Sequence, residues 1–238
     1  MSRDETSTKL ELDRIIFIGR TFEEYLEMFA LTEHYLQGKT ILDCPAGACS
    51  FTAIGRTLGL DVTACDIAYD HPDEDLKQKG KYDIDHAMHH MAKAKNNYHW
   101  GYFGDIDTLK QYRLSALHHC TKDMQESKHR YVSAVLPSLP FEDKAFDVVL
   151  SAHFLFMYGD RLDYCFHLET LNELLRVANQ EVRIFPLVDL EGHRYSYLDK
   201  IMSDLRLAGY QVEEVSVPYA FQRNASSMLK IQKETKQK

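Results

Sequence analysis

The sequence predicts an α/β fold: a doubly wound, mostly parallel sheet with helices on both faces. Three observations predict it. Short apolar segments of strand length alternate with amphipathic segments of helix length along most of the 238 residues. The strand-like Thr40-Ile41-Leu42 ends at an aspartate and runs through a tight turn into a helix-like segment. The last two strand-like segments have no helix between them, so they form a hairpin and the final strand runs antiparallel.

Taken in order, the first element is a helix. Thr21 precedes Glu24 by three, the spacing of a capping box. The helix is expected to run through Tyr25, Leu26, Phe29 and Leu36 and to end at Gly38. The strand to Leu42 ends at Asp43, and the turn Cys44-Pro45-Ala46-Gly47-Ala48-Cys49-Ser50 leads into a helix from Phe51 to Leu58, stopped by Gly59. Asp61-Val62-Thr63-Ala64-Cys65 is a second strand, ending at Asp66. Further on, Phe146 to Leu150 reads as a buried strand, Leu162 to Val177 as an amphipathic helix and Glu181 to Phe185 as another strand. Tyr197 to Leu207 is a helix with Gly209 past its end; Gln211 to Val217 and Ser227 to Ile231 are the closing hairpin, and a polar tail from Lys233 is expected to fray.

The stretch from Tyr69 to Arg130 is about twice as long as a plain crossover requires. It is rich in His, Tyr and Lys, and Ile84 to Ala94 and Ile106 to Met124 read as helical. We expect one domain spanning residues 1–238, in which 1–38 carries a covering helix and 69–130 an inserted helical lid. The alternative for the insertion is a structural cap or a homodimer interface.

Composition narrows the function. Asp plus Glu number 36 against 28 Lys plus Arg, a net charge of −8, so the surface repels phosphates and broad nucleic-acid binding is not expected. Five cysteines with no C-x-x-C pair read as reduced thiols of a cytoplasmic protein rather than a disulfide framework. The charged stretch from Met1 to Leu10 lacks an apolar signal core, and no apolar run approaches the ~20 residues that span a bilayer, so no membrane association is expected. The triplet Asn224-Ala225-Ser226 carries no meaning as a glycosylation site in such a chain.

In an open α/β sheet, ligands bind beyond the carboxyl ends of the strands. Three such ends carry chemistry here. Asp43 leads into a turn of small residues that lets backbone amides approach a ligand closely. Asp66, ending the second strand, is placed to hold ribose hydroxyls, and Ser151, Ala152, His153 and Phe154 follow Leu150.

The segment from Ile41 to Ser50 resembles the first motif of class I S-adenosylmethionine-dependent methyltransferases. Leu139-Pro140-Phe141-Glu142-Asp143-Lys144-Ala145-Phe146-Asp147-Val148-Val149 resembles the central signature of that family, and Leu174-Leu175-Arg176-Val177 and the closing hairpin are similar to its later elements. The resemblance implies a Rossmann-like, seven-stranded sheet with an antiparallel last strand and S-adenosylmethionine as cofactor. It implies cofactor contacts from Asp43, Ala46, Gly47, Ser50, Asp66, Ile67, Val135 and Ser151. Two departures stand out. Pro45, Gly47 and Cys49 fill the slots of the family's three alternate glycines, and Pro45 has no N–H to offer. Val135 stands where the family often has an acidic residue, so a backbone carbonyl near Ala134 or Val135 would have to meet the adenine amino group.

Methyl transfer needs few catalytic residues, since alignment supplies much of the rate. His153 is the candidate general base, an imidazole titrating near neutrality just past a strand end. Arg20, Tyr25, Tyr158 and Arg161 are the candidate acceptor residues, with Arg20 facing a carboxylate of the methionine part or of a small-molecule acceptor. Tyr98, Trp100, Tyr102 and Phe103 are candidates to wall an apolar cavity.

Each feature also has a structural explanation. Asp43 would serve as a turn cap, Asp66 as a loop carboxylate, Tyr25 and Phe29 as a packed helix face, and His153 as a core histidine bonded to backbone. His86, His89, His90, His118 and His119 read as a solvated helix face, and no metal site is expected. A nicotinamide dehydrogenase would also use Asp66, but Gly47 is the only glycine in the turn. A protein that binds the cofactor without turnover is the remaining alternative.

Overall fold

The computed structural model describes residues 16–233; the polar stretch at 1–10 and the tail at 234–238 lie outside the described residues. Two short helices, α1 (Phe22–Met28) and α2 (Glu33–Leu36), precede β1 (Thr40–Asp43), α3 (Phe51–Thr57) and β2 (Asp61–Cys65). The long insertion follows as α4 (Asp73–Lys93) and α5 (Ile106–Glu126). Then come β3 (Tyr131–Val132), β4 (Phe146–Ala152), α6 (Tyr164–Val177), β5 (Ala178–Phe185), α7 (Leu198–Leu207), β6 (Tyr210–Ser216) and β7 (Ser227–Lys233).

The seven strands form one sheet in the order β3-β2-β1-β4-β5-β7-β6. The first five are parallel, and β7 runs antiparallel to both β5 and β6. This is the doubly wound, Rossmann-like arrangement expected from the sequence, with the antiparallel last strand and the helical insertion after β2. The chain winds outward from β1 through β2 to β3, then returns to β4 on the other side. A crevice therefore opens between the ends of β1 and β4, where the winding reverses.

Both faces of the central strands are buried, which is why they read as nearly continuous apolar runs. Successive residues serve opposite faces. Ile41, Val148 and Leu150 pack with Tyr25, Phe51, Ile84, Leu117 and Met124 on the side of α1, α3, α4 and α5. Leu42 and Val149 pack with Leu171, Leu174, Leu198 and Ile201 of α6 and α7.

One expectation needs correction. The N-terminal helix is not continuous to Leu36. The Thr21–Glu24 capping box forms as expected, but α1 ends at Met28. The buried guanidinium of Arg183 on β5 donates to the carbonyl oxygen of Phe29 at 2.5 Å, Ala30 takes a positive φ of 46°, and Thr32 caps α2 anew through Tyr35 N. The insertion borders the cavity through Met88, Met91 and Tyr98 and is also built into the core. Ile84, Leu109, Leu117, Cys120 and Met124 belong to the main core, and α5 packs on α3. At Gly80 an added Cβ would lie 2.5 Å from Leu117 Cδ1, so α4 and α5 approach closely there. The pair is a helical layer of the sheet itself.

Candidate active site

A cavity of about 500 Å³ lies at the carboxyl ends of β1, β2, β4 and β5. Its floor is the turn after β1. Most amides of that turn are engaged within the protein: Cys44 N–H donates to Leu150 O, Ala46 N–H to Cys65 O, Cys49 N–H to Ala46 O and Ser50 N–H to Arg20 O. Gly47 adopts φ +56°, and its N–H donates to Asp66 Oδ2 at 2.8 Å. The other oxygen of Asp66 accepts from Ala68 N–H at 2.9 Å. Burial raises the pKa of Asp66, and these two amides oppose the rise. A carboxylate has about four lone-pair sites, so Asp66 keeps acceptor capacity toward the cavity it lines.

Ile67 and Val135 stand at the mouth beside Asp66. They are 61% and 60% exposed although apolar, and both line the cavity. Exposed apolar side chains at a cavity are suited to pack against a flat ring.

The strap formed by residues 16–20 roofs the turn and went unnoticed in the sequence. Phe17 N–H donates to Asp83 Oδ2 on α4 at 2.7 Å, and Arg20 N–H reaches Cys49 Sγ at 3.2 Å. A Cβ on Gly19 would fall 1.9 Å from Ala48 O, so only glycine lets the strap pass so near. A glycine in the apolar context Ile16-Phe17-Ile18 was the available signal. The strap lines the cavity through Ile16, Phe17, Ile18 and Arg20, while α1 packs behind it through Phe22 and Tyr25 stacked on Phe51.

Several expected site residues lie outside the cavity lining. Asp43 is fully buried; its Oδ1 accepts from Tyr25 OH at 2.9 Å, and its Oδ2 has no hydrogen-bond partner. Burial pushes its pKa well up. Tyr25 faces Asp43 and Cys49 rather than an acceptor, because the core between α1 and α3 encloses its ring. Burial pushes the Cys49 thiol up to about 12. Ser50 and Ser151 are also buried away from the cavity, and Ser50 makes no side-chain cap to α3. Arg161 is exposed, with its guanidinium over the outer face of Tyr158 and 3.7 Å from Asp160. Of the remaining expected residues, Ala46, Gly47, Asp66, Ile67, Val135, Arg20, Tyr158 and His153 all line the cavity.

Strand β4 continues to Ala152, so His153 follows its last residue directly. Its φ is +52° and its N–H donates to Phe185 O at 2.6 Å, which turns the ring off the strand. Nδ1 is buried without a hydrogen-bond partner. Burial, and then the charges of Arg20 and Arg113, hold its pKa well below the ordinary range. That direction runs against the expectation of an imidazole titrating near neutrality and favours the neutral form.

Of the four aromatics from the insertion, Tyr98 alone lines the cavity. Trp100 and Phe103 pack edge-on against Phe221, and Tyr102 against Tyr219, so they support the wall from behind. Sequence reasoning missed Phe221, Tyr219 and Arg113, all of which line the cavity. Arg113 of α5 binds Glu24 of α1 through both carboxylate oxygens, at 2.6 and 2.8 Å. Tyr219 OH donates to the same carboxylate at 2.7 Å. No group of three or more metal-ligating side chains occurs among the described residues, and no described helix is long and apolar enough to cross a membrane.

Comparison with known proteins adds a close relative. Over 225 residues, 94% of this chain and 99% of the other, the sequence is 34% identical to the protein from Methanocaldococcus jannaschii named Uncharacterized protein MJ0045. The chain belongs to the family of that protein. No family model matches it. Among solved structures, it is similar to magnesium protoporphyrin IX methyltransferase from Synechocystis PCC 6803 with bound S-adenosylmethionine, at 12% identity and a TM-score of 0.47, over 90% of this chain and 78% of that one. It is also similar to 1,6-didemethyltoxoflavin-N1-methyltransferase from Burkholderia thailandensis with bound S-adenosylhomocysteine, at 16% identity and a TM-score of 0.47, over 89% and 78% of the two chains.

Proposed function

We propose that this protein is an S-adenosylmethionine-dependent methyltransferase acting on a small-molecule acceptor. One observation carries the reading: Gly47 after β1 and Asp66 after β2 join by a hydrogen bond inside one cavity at the point where the sheet's winding reverses. The motif resemblance of residues 41–50 and 139–149 supports it.

The residues present fit the cofactor. Asp66 has lone pairs left for ribose hydroxyls, Ile67 and Val135 offer flat apolar faces for adenine, and Ala46 and Gly47 leave the floor free of bulk. When bound, S-adenosylmethionine supplies a methyl group activated on a sulfonium. The chain's own residues then bind, align and exclude water. His153 sits where an acceptor would meet the methyl end of the cavity. As a neutral imidazole of low basicity, it serves there by accepting a hydrogen bond from an acceptor O–H or N–H through Nδ1 and so fixing its direction. Tyr158 and Arg20 flank it. The free cysteines, four of them buried, suit a reducing compartment such as the cytoplasm.

A nicotinamide dinucleotide is a poorer fit. Its pyrophosphate requires an open helix N-terminus, whereas Ser50 N–H at the start of α3 is taken by Arg20 O and the strap covers the turn. Calorimetry decides: S-adenosylhomocysteine is expected to bind at micromolar levels and NAD not at all. Binding of NAD with no response to S-adenosylhomocysteine would overturn the reading. Release of S-adenosylhomocysteine in the presence of an acceptor separates an enzyme from a protein that only binds the cofactor.

A further inference from the structure

The cavity has two chemically different ends. Around Asp66 it is lined by the small residues of the turn and by Ile67 and Ala68. Around His153 it is lined by rings drawn from four separate segments: Tyr98 from the insertion, Tyr158 after β4, Phe185 at the end of β5, and Tyr219 and Phe221 from the connection between β6 and β7. These rings support one another. Tyr98 stacks on Phe221 with centroids 4.9 Å apart, the His153 ring meets the Phe185 ring edge-on at 5.3 Å, and Phe185 meets Tyr219 at 5.8 Å.

Two arginines reach this aromatic end, and they differ. Arg113 is neutralised by its two-oxygen pairing with Glu24. Arg20 has no carboxylate partner within ion-pair distance among the described residues. Its Nε is buried with no hydrogen-bond partner, and its side chain makes one long contact, Nη1 to Gly19 O at 3.4 Å. Leaving a buried charged donor unmet costs more than leaving a neutral one. His153 Nδ1, also buried and unmet, faces the same end. The charge of Arg20 acts on Tyr98, Tyr158, Tyr219 and His153 of the aromatic end, and also on Glu24 and on Cys49 of the turn.

We propose that the methyl acceptor is a planar aromatic or heteroaromatic acid whose anionic group pairs with the Arg20 guanidinium while its ring lies among Tyr98, Tyr158, Phe185 and Phe221. This inference rests on the methyl-transfer reading and names its substrate class. The planar fork of a guanidinium matches a carboxylate or phosphate with two parallel hydrogen bonds, and the flat walls favour a flat ligand over a branched one. Burial, followed by the nearby charge of Arg113, lowers the pKa of Arg20 from its ordinary value. A guanidinium stays protonated near neutral pH all the same, so an incoming anion would pair with a half-buried cation whose Nε is unmet. The methionine carboxylate of the cofactor has the same chemistry, and the test separates the two.

Calorimetry is run on the full chain and on Arg20→Gln. S-adenosylhomocysteine is titrated first; failure of the wild type to bind it overturns the methyl-transfer reading itself. With S-adenosylhomocysteine saturating, 2-naphthoate and 1-naphthoate are then compared with their neutral amides. The wild type is expected to bind at least one acid ten-fold or more tighter than its amide. Arg20→Gln is expected to lose that preference while its affinity for S-adenosylhomocysteine stays within two-fold. Equal affinities for acid and amide, or no binding of either acid, overturn the proposal. So does an Arg20→Gln variant that loses affinity for S-adenosylhomocysteine but keeps it for methylthioadenosine, which lacks the carboxylate; Arg20 would then serve the cofactor. Should Arg20→Gln not fold, the acid-to-amide ratio of the wild type decides, together with Arg20→Lys, in which a reduced but surviving preference is expected.

Discussion

At the scale of single residues, Asp66 and His153 have opposite electrostatic characters, and each gives a prediction. Asp66 keeps its carboxylate in a buried place by accepting from Gly47 N–H and Ala68 N–H. Asp66→Ala is expected to lose about 1.5–3 kcal/mol of S-adenosylhomocysteine binding, the scale of hydrogen bonds to a charged group, or roughly ten- to a hundred-fold in Kd. Unchanged affinity in calorimetry would remove Asp66 as the ribose ligand. His153 is held neutral by burial and by the charges of Arg20 and Arg113. Its folded pKa lies below the unfolded value of about 6.5, so the unfolded chain takes up a proton that the folded chain refuses. That difference costs stability progressively as pH falls below about 6.5. His153→Gln should therefore lose less melting temperature between pH 7.5 and pH 5.5 than the wild type does, as read by thermal denaturation followed by circular dichroism. An identical drop in both proteins would mean that His153 is not held neutral.

At the scale of elements, the strap at residues 16–20 shows why parts of the site escaped the sequence. The central strands were legible because burial on both faces leaves long apolar runs, as in Val148-Val149-Leu150. Asp66 was legible because it directly follows such a strand, and Gly47 because it lies in the short turn that leads from one into a helix. The strap has no periodicity of its own; it is held by Asp83 on α4 and Cys49 after β1. The end of α1 depends on Arg183, which lies 154 residues away in sequence from Phe29. Tyr25 looked available to an acceptor because nothing local reveals that Asp43 receives its hydroxyl. No short-range pattern encodes such partners. Gly19→Ala tests the strap. With 1.9 Å between the new Cβ and Ala48 O, the strap must lift, because the obstacle is backbone. We expect a lower melting temperature and weaker S-adenosylhomocysteine binding together. Gly101→Ala, with nothing within 4 Å of its Cβ, is the control and should change neither. Normal binding by a folded Gly19→Ala variant would show that the strap does not shape the cofactor site.

At the scale of the whole molecule, the site is held together by one buried junction. Glu24 of α1 accepts from Arg113 of α5 twice, from Tyr219 OH beyond β6, and from Thr21 N–H at its own helix start. The N-terminal segment, the insertion and the C-terminal connection thus meet at a single carboxylate that is 0% exposed. Burial works against its charge, but the charge of Arg113 and its hydrogen bonds outweigh that and lower the pKa of Glu24. A carboxyl with a depressed folded pKa contributes stability that is present above the unfolded value of about 4.3 and is lost as pH falls through the folded one. This junction also explains why cutting out residues 69–130 should give an insoluble chain: the excision strands Glu24 and removes a layer of the core. Point substitutions give the sharper test. Arg113→Met leaves a buried carboxylate without its cation and is expected to cost about 3–5 kcal/mol in denaturant unfolding at pH 7. Adding Glu24→Gln to Arg113→Met removes the stranded charge, and the double variant should recover part of that loss. It should also show a flatter dependence of stability on pH between 3 and 5, where Glu24 no longer exchanges a proton. If the losses of Arg113→Met and of Glu24→Gln, each measured alone, simply add in the double variant, the residues act independently, and the junction does not join the insertion to the rest of the site.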